Sequence, residues 1–409
     1  VTTAPTIAIR RLAVSRAIAV TGYEAGWIAL MVAIYARTHS TVWMSAALFA
    51  AIASSSLVAP VAGALGDRYD RRRVMIVSEL VAAAFAAAMV VAHAPWLLVA
   101  LAALVGLAEA PFMPASSAAV PNLVGDDRLE WANSTLAVGR NVGQLLGPLV
   151  GGVAAAAVGS AAVFGISAVG FLISGALVAS VSGRFSGKRA EHHDRQLRAG
   201  FVFVWNSPVL RGMTVAWMVL LFLLGPVLVA ELPLAHEFGQ GAAGYGMIAA
   251  CWGGGAIAGS FLGRVTGRRW ESRTMIWGCL LIGAGFAIVS GAPVFVVAMA
   301  GMILAGVAEG AVSVAEQTII QRCTPDSVRS RVNSAGEAAA MGAFSLSFPA
   351  AGFVINLLGV RGAYLMAAFG CVLAAAILVP AMRAARATVD TDEGLVEEPV
   401  AAWAGGRAR

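Results

Sequence analysis

Charge is what this chain has least of. Only 12% of its 409 residues are charged, against about 25% in a soluble domain. Hydrophobic residues make up 59%. A water-soluble fold has no way to hide that much apolar surface, which excludes a soluble globular domain. A bilayer can hide it, taking ~20 apolar residues per spanning helix. Cysteine is also scarce. Cys251, Cys279, Cys323 and Cys371 lie far apart without metal-ligand spacing, which argues against a disulfide framework and a zinc site. No nucleotide-binding loop or nucleophile motif is found. The glycines at 253–255 follow no strand and precede no lysine, so they form no phosphate loop. No cofactor, no metal and no enzyme activity are expected.

What is present is alternation. Twelve apolar runs fall at 17–36, 43–64, 74–93, 96–120, 134–157, 160–182, 211–231, 243–263, 274–291, 294–316, 332–357 and 361–382. The first run is too long for a signal h-region and no small-residue cleavage site follows it, so it is expected to remain as a spanning helix. The net charge of +6 would suit nucleic acid, but the basic residues sit in short loops between apolar runs, so no nucleic-acid partner is expected. Of 28 Lys and Arg, 25 fall in alternate segments shared with the N-terminus, Arg37 and Arg361 fall in the others, and Arg140 falls within a span. The positive-inside rule then places both termini in the cytoplasm.

The chain is expected to divide into a six-helix bundle at 1–182, a cytoplasmic central loop at 183–210, a second six-helix bundle at 211–386 and a disordered cytoplasmic tail at 387–409. His192 and His193, in the polar stretch, are taken as part of a solvated loop rather than a metal site. The two halves repeat at an offset of 200: Leu104, Gly106, Ala108 and Glu109 match Leu304, Gly306, Ala308 and Glu309. Asn133-Ser134, Gly152, Gly159 and Gly170 match Asn333-Ser334, Gly352, Gly359 and Gly370 at the same offset. Parallel repeats of this kind place a substrate site between them near the midplane. The fold class is an all-α membrane protein of twelve transmembrane helices in two pseudo-symmetric bundles.

The loop after the second span reads Gly63-Ala-Leu-Gly-Asp67-Arg68-Tyr-Asp70-Arg71-Arg72-Arg73. It resembles the Gly-x-x-x-Asp-Arg-x-Gly-Arg-Arg signature of the major facilitator superfamily. That resemblance implies a cytoplasmic latch of Gly63, Asp67, Arg68, Arg71 and Arg72, with Asp67 facing the start of the eleventh span near residues 330–334. Asp70 stands where the family has Gly. The second half carries a weakened copy, Gly259 to Gly263 with Arg264, Arg268 and Arg269, without the Asp. The fifth span resembles the superfamily's antiporter motif through Gly143, Gly147, Pro148, Gly151 and Gly152. Small residues at four-residue spacing let helices approach closely, and generic packing is the other reading of them. Within the superfamily the chain resembles the drug/proton branch that contains enterobactin exporters and macrolide efflux proteins. The resemblance implies a bacterial cytoplasmic (inner) membrane protein, a monomer, that exchanges a small-molecule substrate for protons across the lipid bilayer.

Charges inside a span are costly and point to function. Glu24 lies in the first span, Glu109 in the fourth, its repeat partner Glu309 in the tenth and Arg140 in the fifth. A carboxyl in a poorly hydrated cavity can load and release protons near neutral pH, so Glu24 and Glu109 are the first candidates for proton coupling. For Arg140 two readings stand. It either meets and leaves a carboxylate during the cycle, or it holds a permanent ion pair with Glu109. Tyr23, Trp27, Phe112, Phe222 and Trp252 are candidates for an apolar or aromatic substrate cavity, with lipid-facing anchorage as the alternative. The expectation is a proton-coupled exporter of small, largely apolar molecules. The rivals are an uptake symporter or facilitator on the same fold, and a non-transporting sensor or scaffold.

Overall fold

A computed structural model describes residues 4–124, 128–183, 185, 194–263 and 270–390. Within them, the side chains of 4, 55–67, 130, 194–199, 263, 326–327, 330 and 385–390 lie outside the description. The described residues are helical, with short turns and no strand. In order they form α1 (Ala4–Thr38), α2 (Thr41–Arg68), α3 (Arg71–Val91), α4 (Pro95–Glu109), α5 (Phe112–Leu123), α6 (Leu129–Val158) and α7 (Ser160–Ser180). Then come α8 (Asp194–Asn206), α9 (Pro208–Glu237), α10 (Gly241–Gly263), α11 (Glu271–Gly291), α12 (Phe295–Cys323) and α13 (Asp326–Asp390).

Helix is the expected answer to these apolar runs. Hydrocarbon offers no hydrogen bonds, so each spanning segment must satisfy its own backbone. Ten stretches among the described residues are long and apolar enough to cross a bilayer, and one of them, Arg331–Ala384, has 54 residues. That is about 80 Å of helix, enough for two crossings. The shorter apolar stretch Thr41–Ser54 is the part of α2 that precedes the side chains outside the description. Together these give the twelve crossings read from the sequence.

Proline and glycine set the interruptions. The expected fourth span covers α4 and α5, with Ala110 and Pro111 between them still in the right-handed helical region. Pro111 has no N–H to give to Leu107, and the ladder breaks between α4 and α5. Gly159 joins α6 to α7 at φ 84°, ψ 160°, and Gly359 bends α13 into two arms at φ 76°, ψ 171°. Both backbones lie where a Cβ is disfavoured, so glycine is required there. The repeat thus reaches the dihedral angles. It also reaches α3 and α11, which run 71–91 and 271–291 and close with matching bonds, Ala92 N–H to Met89 and Ala292 N–H to Val289.

Two boundaries move. Within the stretch expected to be a loop, Asp194–Asn206 is helical. The first helix begins at Ala4 rather than near residue 17, so Arg16 is not a loop residue. It is 6% exposed on the face of α1, and Arg140 is therefore not the sole basic residue within a span.

By contact the chain forms two compact units. One comprises 1–191, 226–253 and 348–363; the other comprises 192–225, 254–347 and 364–409. In the first, α1 packs on α6 and α7, and α3 packs on α7. One end of this unit is filled by Ile9, Leu12, Met75, Phe112, Val120 and Leu136. In the second, α11 lies along α12 with small residues at the crossing. A methyl added at Gly285 would stand 2.6 Å from the Gly301 carbonyl. The Glu271 carboxylate, in the first turn of α11, pairs with Arg322 at 2.9 Å.

Candidate functional site

The antiporter-like glycines Gly143, Gly147 and Gly151 pack together with Gly139 in the first unit. Gly139, Gly143, Gly147 and Gly151 recur every four residues along one face of α6, and that face lies on α1. A methyl at Gly139 would sit 2.3 Å from the Ala13 carbonyl, and one at Gly143 2.8 Å from the Ala17 carbonyl. At Gly147 it would sit 2.4 Å from the Glu24 Cβ, and at Gly151 2.7 Å from the Ala25 Cα. The two helices therefore run parallel with backbone against backbone, a packing only small residues allow. Gly152 turns to another face and meets α10, where a methyl would lie 2.9 Å from the Gly246 Cα. Pro148 lies inside α6, and its carbonyl borders Gly246 as well.

This packing fixes Glu24 among other polar groups of the same unit. Tyr23 interacts electrostatically with Glu24 and with Glu109, the last residue of α4. Tyr245 of α10 interacts with Glu24 and with Glu231 of α9. Glu109 Oε1 is buried and has no hydrogen-bond partner. Glu109 also interacts with Glu79 of α3. Glu79 has 0% exposure, and its Oε1 accepts from the Ser174 hydroxyl at 2.6 Å. Ser174 Oγ lies 2.7 Å from Ser15 Oγ, which extends the chain of polar groups to α1. No ion pair joins Glu109 to Arg140 among the described residues. Arg140 instead interacts electrostatically with Arg16.

The other sequence candidates are dispersed. Glu309 lies on α12 in the second unit, where it interacts with Glu316. The Trp217 indole N–H is directed to Glu316 without closing a normal hydrogen bond. Tyr23 and Trp27 line a cavity of ≈ 40 Å³ with Leu30, Met89, Phe164 and Phe171. That volume suits water rather than a drug-sized ligand, which needs about 300 Å³ or more. Phe112 is 3% exposed within the apolar cluster of the first unit, away from that cavity. Phe222, on α9, is 43% exposed, and Trp252 is half-buried on α10.

Of the latch residues, the side chains of Gly63 and Asp67 lie outside the described residues, as does the expected approach of Asp67 to residues 330–334. Arg68 is exposed beside the Tyr69 ring. Arg71 donates to the Ala118 carbonyl at 2.8 Å, and Arg72 donates to Ala179. These arginines tie α3 to the ends of its neighbours. Asp70 has an ordinary backbone, φ −62° and ψ 120°, and caps α3 by accepting the Arg73 N–H at 3.1 Å. Where the family uses Gly for the turn, this chain gains an N-cap.

Sequence reading passed over Glu79, Glu231, Tyr245 and Arg16. The signal for Glu79 was the one used for Glu24, a carboxylate inside an apolar run. Among the described residues no group of three His, Cys, Asp or Glu side chains is placed to hold a metal ion.

The family described as "Transmembrane secretion effector" matches residues 13–404. The uncharacterised MFS-type transporter YfiS of Bacillus subtilis (strain 168) is 25% identical over 335 residues, covering 78% of each chain. The enterobactin exporter EntS of Escherichia coli O1:K1 / APEC is 26% identical over 335 residues, covering 80% of each. Among solved structures, a bacterial homologue of the human lysosomal transporter Spinster superposes with a TM-score of 0.73 at 13% identity. It covers 95% of this chain and 98% of its own.

Proposed function

Because this chain belongs to the transmembrane secretion effector family of major facilitator transporters, we propose that it is a proton-coupled exporter of small, largely apolar molecules. The observation that carries this reading is the seating of Glu24 against Gly147. The antiporter-like helix packs on the helix that bears a carboxyl without an ion-pair partner among the described residues. A shift of α6 along α1 would change the surroundings of that carboxyl directly. Export is favoured by the likeness to an enterobactin exporter.

In this reading Glu24 and Glu109 carry the proton, and alternating access is a rocking of the two sequence repeats around a midplane site. Glu309 serves the second repeat, and the arginines of the latch region hold the cytoplasmic ends. The protein works as a monomer in a bacterial cytoplasmic membrane, with both termini inside.

Inverted membrane vesicles test it. A pH-sensitive dye reports lumenal acidity after energisation, and candidate substrates are then added. Antiport releases lumenal protons on substrate addition. Glu24→Gln and Glu109→Gln should each abolish that release, with the protein still present at parental levels and monodisperse. Normal coupling in both variants removes these carboxyls from the proton path. Substrate movement without proton movement in the parent overturns antiport itself.

A further inference from the structure

Two arginines of the first unit interact electrostatically, and no ion pair joins either to a carboxylate among the described residues. Arg16 lies on α1 and Arg140 on α6, and each is an electrostatic neighbour of the other. The glycine ladder sets this meeting. Gly139, beside Arg140, seats on Ala13, and Gly143 seats on Ala17, so the two helices lie backbone to backbone on either side of Arg16.

Arg16 is in an unusual position. It is 6% exposed, and a guanidinium carries five donors. Its hydrogen-bond partner is the Met113 sulfur, at 2.8 Å from one terminal nitrogen, while Nε is buried with no partner. A thioether is a weak acceptor. A buried cation without an acceptor is costly, and a second cation beside it adds repulsion. Nearby carboxyls do not relieve this. Glu109 lies one turn before Met113 in sequence, and its Oε1 is itself without a partner. No ion pair joins Glu24 or Glu109 to either arginine among the described residues.

Such a pair lacks an anion. A carboxylate or phosphate is an acceptor that can take two or more charge-assisted hydrogen bonds and satisfy both cations at once. Met113, which touches Arg16, and Ala13, Ala17 and Val20, which touch the adjoining glycines of α6, are apolar. We infer that Arg16 and Arg140 form a subsite for the oxyanion of an amphipathic substrate, a carboxylate or phosphate carried on an apolar body. The inference rests on the export reading for its occupant and narrows that reading from apolar molecules in general to organic acids. Arg16 supplies the buried contact. Arg140 is the exposed member.

Binding to the purified full chain in an uncharged detergent separates this inference from the export reading. The probes are 2-naphthoate, 2-naphthyl phosphate and the neutral 2-naphthamide, titrated calorimetrically. The expected result is that at least one anion binds about tenfold or more tightly than the amide, as loss of charge-assisted bonds implies. Naphthoate and naphthyl phosphate compared with each other then identify the acid. Arg140→Gln should weaken the anion by a similar factor and leave the amide unchanged, with Arg140→Lys recovering part of the loss. Arg16→Gln should do the same, and if that protein is not monodisperse, the Arg140 pair of variants decides alone. Equal binding of anion and amide, or undiminished anion binding in Arg140→Gln, overturns the subsite. If a neutral compound drives proton release in vesicles while neither anion binds, export stands and the subsite falls. Arg140-dependent anion binding without any transport leaves the subsite and removes export.

Discussion

Glu79 shows how much a single side chain can hold in this molecule. It bridges α3 to α7 through Ser174, and Ser174 reaches Ser15 of α1. Glu79→Ala would leave the Ser174 hydroxyl short of an acceptor and open a void. The expected cost is about 1–3 kcal/mol, seen as a lower melting temperature in detergent. Glu79→Gln keeps an acceptor oxygen at the same place and should cost about 1 kcal/mol or less. If the alanine variant melts with the parent, the Ser15–Ser174–Glu79 chain carries no stability. A contrast is Glu237 and Arg361, paired at 3.3 Å with both side chains near 40% exposed. Breaking that pair by Glu237→Gln should move the melting temperature little, since exposed pairs contribute about 0–1 kcal/mol. At this scale the sequence is only partly legible. Glu24 and Glu109 stand in the middle of apolar runs and are visible. Glu231 closes the run at 211–231 and reads as a boundary. Arg16 precedes the expected start of the first run and reads as a loop residue, because a helix can extend past its apolar stretch.

At the scale of elements, the ladder on α6 gives a graded test. Gly139→Ala places a methyl 2.3 Å from the backbone oxygen of Ala13, and backbone cannot step aside. A loss of about 1–3 kcal/mol is expected, with transport lost as well. Gly165→Ala on α7 meets nothing nearer than 4.0 Å and should be silent in both measurements. If Gly139→Ala transports normally, the backbone contact of α1 with α6 is not needed for the cycle. Gly159→Ala and Gly359→Ala test a different cost. Nothing lies within 4 Å of either position, so any loss comes from the backbone conformation alone, about 1–3 kcal/mol each. The repeat made this pair legible from the sequence, since both glycines occupy the same place in their halves. The break between α4 and α5 was less so. A proline inside an apolar run can equally bend a membrane helix without interrupting it.

For the whole molecule, the twelve crossings were legible because hydropathy and charge alternation report one variable, depth in the bilayer. The contact units were not. Residues 226–253 and 348–363 group with 1–191, although they belong to the second sequence repeat. Periodicity tells which side of a helix is apolar. It does not tell which neighbour receives that side, since tertiary contacts of distant segments leave no mark in local pattern. The orientation expected from loop charge can be checked simply. A green fluorescent protein fused after residue 409 should fluoresce, and an alkaline phosphatase fused there should be inactive. The opposite pair of results reverses the topology. The thiols give a second check at this scale. Cys251, Cys279, Cys323 and Cys371 are all unpaired, so reducing agent should leave gel mobility and melting temperature unchanged.

The contact between α1 and α6 also limits what lengths the chain can tolerate. Each inserted residue turns everything beyond it by about 100° around the helix axis. One residue added between Gly139 and Gly151 would rotate the later glycines off α1 and swing bulkier neighbours into backbone. Four added residues would nearly restore the face, but would slide Glu24 a full turn from Gly147. Insertions and deletions should therefore be barred from this stretch while the polar segment near residue 190 accepts them. In genetic terms, α6 is a ruler whose marks are glycines, and a lineage can change its letters more readily than its length.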